Sequence, residues 1–115
     1  MNDDIGLLIP GACDCHVHIY EPERFALTQQ IARASWSEYR NVQQRLGLER
    51  AVLVQANGYG FDIRCLLDAL SQAGDAARGI AVIKPDITDE QLVELHRNGV
   101  RGVRFMLIPN AQGAL

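Results

Sequence analysis

Six consecutive residues, Ala51-Val52-Leu53-Val54-Gln55-Ala56, constrain the fold of this chain more than any others. A strand with one wet face alternates apolar and polar residues, and this run does not. Continuous apolar, β-branched sequence suits a parallel strand covered on both faces. Its surroundings agree. Upstream, Ser35-Trp36-Ser37-Glu38 has the Ser-x-x-Glu pattern of a capping box, and Tyr39, Val42 and Leu46 recur at helical spacing up to Gly47. Downstream, Asn57-Gly58-Tyr59-Gly60 reads as a turn and Asp62 as the cap of a helix whose stripe is Ile63, Leu66, Leu67 and Leu70, ending near Gly74. A third strand follows over Arg78–Ile83. Thr88-Asp89-Glu90-Gln91 is a second capping box, opening a helix with Leu92, Leu95 and His96 inward and Asn98-Gly99 as its stop. Val100 to Leu107 forms a fourth strand.

The first strand precedes all of these, in Gly11-Ala12-Cys13-Asp14-Cys15-His16-Val17-His18-Ile19-Tyr20. Period-two alternation puts Asp14, His16 and His18 on one face. Cys13, Cys15 and Val17 take the other, toward the helices, the cysteines as small buried core residues. Two imidazoles and a carboxylate aimed together suit a divalent transition metal, with Asp14 fixing a ring tautomer or completing the shell. The alternative is a pair of inert polar residues at a strand end. A Cys-x-Cys-His-x-His zinc knuckle is disfavoured, because alternation splits its ligands between faces. Glu21 to Ala34 is a long irregular stretch, of the kind that is functional or mobile. Residues 1–10, with the apolar patch Ile5-Gly6-Leu7-Leu8-Ile9, form a leader to one partial domain over 11–115.

Strand and helix therefore alternate, which implies an α/β fold with a parallel sheet and right-handed crossovers. A doubly wound sheet would mark its ligand site with a glycine-rich turn after the first strand, where this chain has His16-Val17-His18-Ile19-Tyr20. A (β/α) barrel carries its chemistry at the C-terminal strand ends, where the histidines, Gln55-Ala56-Asn57, Lys84 and Arg104 fall. The barrel is favoured. A net charge of −3 supplies no basic field for a phosphate backbone, so nucleic acid is not an expected partner. No run reaches the roughly 18 apolar residues of a bilayer span, and Met1-Asn2-Asp3-Asp4 is acidic where a secretory signal is basic, so no membrane association and a cytoplasmic location are expected. The odd count of 3 cysteines points to reduced thiols.

Three blocks together, Gly11 to Tyr20, Val54-Gln55-Ala56-Asn57-Gly58-Tyr59-Gly60-Phe61-Asp62 and Gly99-Val100-Arg101-Gly102-Val103-Arg104-Phe105, resemble the amidohydrolase superfamily. The branch is the amidohydrolase-related group of 2-pyrone-4,6-dicarboxylate lactonases and sugar lactonases. The resemblance implies a (β/α)8 TIM barrel that hydrolyses lactones. It implies that His16 and His18 bind zinc or another divalent metal, or line its place in a metal-independent relative, and that Arg104 clamps a substrate carboxylate rather than closing an internal salt bridge. The turn after the second strand would touch substrate through Asn57 and Tyr59, although Asn-Gly and Tyr-Gly also serve a turn for backbone reasons. Tyr20 would face the pocket or cover its mouth. Lys84 is expected as an exposed charge and Arg101 as a solvated or pairing one.

Three departures accompany the resemblance. Gln55-Ala56-Asn57 replaces a family Gln-Pro-Ser or Gln-Ala-Ser, exchanging a hydroxyl for an amide. Arg104 stands where two-metal members place a bridging lysine. A family barrel needs about 250 residues, and 115 residues supply only its N-terminal half, about four parallel strands with three helices. The later histidines and the aspartate that activate water in the family lie outside this chain. The chain alone is therefore expected to be inactive and to require the missing C-terminal half or a second copy, since open apolar edges on strands one and four invite association. The leading function is hydrolysis of a small carboxylated lactone. The alternatives are a lactone isomerase of the same shape and a non-catalytic half-barrel that binds or assembles.

Overall fold

The computed structural model describes residues 9–27 and 29–107. The leader reading lies largely outside them. Four strands, β1 (Cys13–Val17), β2 (Arg50–Val54), β3 (Ala77–Val82) and β4 (Val100–Arg104), form one sheet in the order β1-β2-β3-β4. Every neighbouring pair is parallel. Three helices, α1 (Trp36–Leu46), α2 (Arg64–Ala73) and α3 (Asp89–Arg97), are the crossovers. Sequential order with one helix per crossover is the succession of units in a (β/α) barrel, and here it amounts to half of one.

Local chemistry sets the helix ends. Ser35 accepts from the Glu38 N–H while the Glu38 side chain returns to Ser35, and Thr88 and Gln91 repeat the arrangement on α3. Through the Ser35 hydrogen bond, the Glu38 carboxyl is held below its ordinary range. Gly47, at φ 73°, closes α1 in the left-handed conformation that glycine adopts without strain. Asp62 accepts from the Arg64 N–H and pairs with its guanidinium at 2.8 Å, although Ile63 is the formal cap of α2.

One hydrophobic layer lies between sheet and helices, with Val17, Leu53, Ala77 and Ala81 from the strands and Trp36, Leu66, Ala69, Leu70 and Leu95 from the helices. Two helix faces differ from expectation. On α1, Trp36 and Gln43 are buried two turns apart, and Val42, expected in the stripe, is 48% exposed because it lies about 100° around the helix from Gln43. On α3 only Leu95 reaches the core. Leu92 and His96, roughly 60° and 100° to one side of it, face solvent.

The largest departure is in β1. Asp14 pairs with Ala51 and Val17 with Leu53, so β1 advances three residues while β2 advances two. That one-residue slip breaks the strict alternation. It puts Asp14 on the same side as Val17, toward the helices, where its Oδ2 accepts from the Tyr39 hydroxyl of α1 at 2.7 Å. The expectation that Asp14 shares a face with both histidines is thereby corrected. Cys15, expected in the core, is exposed, Cys13 is half-buried, and Cys65 on α2 is the buried thiol.

The stretch from Glu21 to Ala34 is irregular but pinned. Tyr20 and Ala34 exchange main-chain hydrogen bonds of 2.9 and 2.8 Å. Arg24 pairs with Glu21 and, at 2.6 Å, with Asp68 of α2. Phe25 lies within cation–π reach of both Arg24 and Arg64. Leu27 and Ile31 settle against Gly58, where a Cβ would stand 3.0 and 3.2 Å from them.

Candidate active site

Val17, Leu53 and Ala81 take the helix side, so their chain neighbours Val54 and Val82 point to the opposite, concave side of the sheet, with His16 and His18 at the end of β1. Arg104 is the register partner of Val82 and shares that side. The C-terminal strand ends thus bring together two imidazoles and a guanidinium.

The imidazoles meet directly. His16 Nε2 and His18 Nε2 are 3.3 Å apart and the rings are edge to face. His18 Nδ1 lies 2.7 Å from the Val54 carbonyl oxygen. A carbonyl can only accept, so Nδ1 carries the hydrogen and Nε2 of the neutral ring presents its lone pair. In the ion-free pair, His16 Nε2–H donates to it. Two nitrogens bound to one tetrahedral zinc at about 2.0–2.1 Å are separated by roughly 3.3–3.4 Å. The observed spacing and the fixed tautomer therefore fit a shared ion, with the Val54 carbonyl as the outer partner that orients the ligand. No group of three or more candidate ligands occurs among the described residues. The pair would supply two of the three protein ligands usual at a catalytic zinc.

Arg104 reaches across β3 and donates from Nη1 to the Gln55 carbonyl at 2.9 Å. His18 and Arg104 therefore hold consecutive carbonyls at the end of β2. No carboxylate of the described residues lies within salt-bridge distance of Arg104, so an internal ion pair does not account for it there.

Other candidates are distributed around this centre. Asp14 accepts the His16 main-chain N–H at 3.3 Å and the Tyr39 hydroxyl, so it braces the strand rather than either ring. Burial pushes the Tyr39 hydroxyl pKa up, keeping it a donor to Asp14. Tyr59 is buried, and its oxygen accepts the Glu21 N–H at 3.0 Å; loss of solvent pushes its pKa up to about 12. Tyr20 is half-buried, stacked on Tyr59 and tilted against His18, so a continuous aromatic wall borders the pair. Asn57 is exposed at the start of a single 3-10 turn, Asn57–Tyr59. Lys84 lies over the Phe61 ring at 5.0 Å. Gln55, beside them at the end of β2, is only 3% exposed, and its amide is fully engaged inside the fold.

A parallel βα succession with two imidazoles and a guanidinium at the C-terminal strand ends defines half of a (β/α)-barrel domain. The chain belongs to the amidohydrolase family, whose model matches residues 13–115. It is similar to a 2-pyrone-4,6-dicarboxylate hydrolase of Comamonas testosteroni, 39% identical over 85% of this chain and 34% of that protein. It is similar also to a 4-sulfomuconolactone hydrolase of Hydrogenophaga intermedia, 33% identical over 87% of this chain and 35% of that one. A D-galactarolactone isomerase of Agrobacterium fabrum is 29% identical over 86% of this chain. Among solved structures, a putative 2-pyrone-4,6-dicarboxylic acid hydrolase from Pseudomonas putida superposes with a TM-score of 0.76 at 30% identity, over 84% of this chain and 37% of that one. The chain spans about a third of the length of the curated relatives it matches.

Proposed function

We propose that this chain carries the substrate-gripping and ion-binding part of a hydrolase that opens a small carboxylated lactone. The observation that carries the reading is Arg104, a half-buried guanidinium on the concave side with one main-chain acceptor and no carboxylate partner among the described residues. A guanidinium fork on a rigid strand matches a carboxylate in two parallel hydrogen bonds. His16 and His18 would hold one zinc or similar divalent ion, which when bound polarises a carbonyl and acidifies water. Independently of the ion, the Val54 carbonyl fixes the His18 tautomer and Tyr20 borders the ring on that side. Names of the relatives support the substrate class, because two of them act on lactones or pyrones bearing acidic groups.

Cytoplasmic chemistry fits an exposed Cys15 and a helix set in which no described helix is long and apolar enough to cross a membrane. The concave face requires further strands, supplied by the rest of a longer polypeptide or by a second copy. Val103 and Phe105, 44% and 51% exposed beside the edge of β4 that has no strand partner among the described residues, favour such covering. An isomerase relative supports a second reading, in which the same grip shifts the lactone bond.

The test is turnover of 2-pyrone-4,6-dicarboxylate by the protein in its native assembly, with products identified by mass. Ring-opened acid supports hydrolysis and an isobaric lactone supports isomerisation. Replacing His16 and His18 together by Asn should lower the rate by at least about 100-fold, the loss typical when a metal site or its water activation fails. An unchanged rate would overturn the assignment. Metal analysis of the same preparations should show the ion lost with the pair.

A further inference from the structure

Gln55 occupies the point where β2 and β3 part. In a parallel ladder, a residue that donates its N–H to one carbonyl accepts at its own carbonyl from the N–H two residues further along the partner. Gln55 N–H donates to the Ile80 carbonyl at 2.9 Å, so the regular partner of the Gln55 carbonyl is the Val82 N–H. That N–H donates instead to the Gln55 side-chain Oε1, at 2.8 Å. The side-chain amide has taken the rung that belongs to its own main chain. The displaced carbonyl is what Arg104 Nη1 grips, at 2.9 Å. Gln55 Nε2 spends its two hydrogens on the Gly60 and Asp62 carbonyls, at 2.9 and 3.2 Å, which locks the amide in place from the other end.

We infer that Gln55 is a positioning residue for Arg104, substituting its side-chain amide for a ladder hydrogen bond so that its main-chain carbonyl can hold the guanidinium over the concave face. The chemistry limits the position to glutamine. The side chain must accept from one N–H and donate to two carbonyls at the same time. Glutamate has no hydrogens to donate, and a shorter or apolar side chain would return the Val82 N–H to the main-chain carbonyl, so that Arg104 would share its acceptor and be held less firmly. The role of the anchored guanidinium as a carboxylate grip rests on the function proposed above; the hydrogen-bond exchange itself does not.

Two measurements separate these. In the isotopically labelled, unsubstituted protein, a through-hydrogen-bond coupling should connect the Val82 amide nitrogen with the Gln55 side-chain carbonyl carbon. Coupling to the Gln55 main-chain carbonyl carbon overturns the inference, whatever the protein binds. Binding of 2-pyrone-4,6-dicarboxylate is then followed by calorimetry. Gln55→Met should weaken it roughly tenfold, the worth of one charge-assisted hydrogen bond, and should have no further effect in an Arg104→Met background. Equal losses in both backgrounds mean that Gln55 does not act through Arg104 and overturn the inference. If Arg104→Met alone leaves binding unchanged, the carboxylate grip is refuted, and the coupling still decides the place of the Gln55 amide. Should Gln55→Met fail to fold, the coupling in the unsubstituted protein carries the test.

Discussion

Gly79, buried in the centre of β3, lies directly against Leu66 and Leu70 of α2. A Cβ built there would stand 2.7 Å from Leu70 Cδ1 and 3.5 Å from both Leu66 Cδ1 and Val100 Cγ2. Carbon atoms in good contact are about 3.5–4.0 Å apart, so Gly79→Ala forces the Leu70 methyl to retreat by roughly 1 Å within a close-packed layer. Overpacking of this kind costs about 1–3 kcal/mol, and removing glycine from a strand interior returns about 0.5–1 kcal/mol. The net destabilisation should be about 1 kcal/mol. Urea denaturation followed by far-UV circular dichroism, at constant m, measures it as a lowered midpoint. The cause is tested in a Leu70→Ala background, where the clashing methyl is gone and the new one partly fills the space left. There Gly79→Ala should be neutral or stabilising, a coupling of more than about 0.5 kcal/mol between the two sites. A penalty of the same size in both backgrounds, or none in either, would refute the close approach of α2.

Two further outcomes follow from the contacts around the site. Asp68 is held below its ordinary range by the Arg24 guanidinium, so its contribution is complete above the ordinary aspartate pKa near 3.8 and fades as pH falls through the depressed value. Hydrogen-exchange protection of 21–27, taken relative to the intrinsic rate at each pH, should therefore fall on acidification below about pH 4, and Asp68→Asn should remove that dependence; protection that does not change with pH would contradict the clamp. Tyr39→Phe strips the hydroxyl from Asp14 and should cost about 1.5 kcal/mol, the low end for a hydrogen bond to a charged group, while leaving ligand binding nearly intact. A large loss of ligand binding with unchanged stability would show that Asp14 serves the rings directly.

What the sequence discloses about this fold is what local chemistry decides. Both capping boxes need only residues three apart, and Ser35–Glu38 and Thr88–Gln91 form as written. The apolar run at 51–56 announces a strand covered on both faces, and the alternation of elements announces parallel pairing. The site is only partly legible, because its decisive bonds join distant segments. A period-two reading has no means of showing an extra residue in β1, so Asp14 is drawn to the wrong face. Gln43 is fully buried although its type suggests solvent, its Oε1 accepting from Arg40 at 3.0 Å and its Nε2 without a partner among the described residues. Gln55 advertises a polar contact, but that its amide replaces a rung of the ladder depends on Val82 and Arg104, which lie on two other strands. The signal available was the glutamine itself, a long amide at the end of an otherwise apolar strand, where a buried polar group must find partners.

The offset of one residue in β1 gives its two ends separate freedom. Below the offset, Asp14 and its neighbours answer to α1; above it, the imidazoles answer to Val54 and to each other. Substitutions that retune the lower end for packing need not swing the rings. Deleting Cys15, the one residue between Asp14 and His16, would by contrast leave Asp14 opposite Ala51 and Val17 opposite Leu53 with strict alternation between them, so that any later shift at one end would be carried to the other.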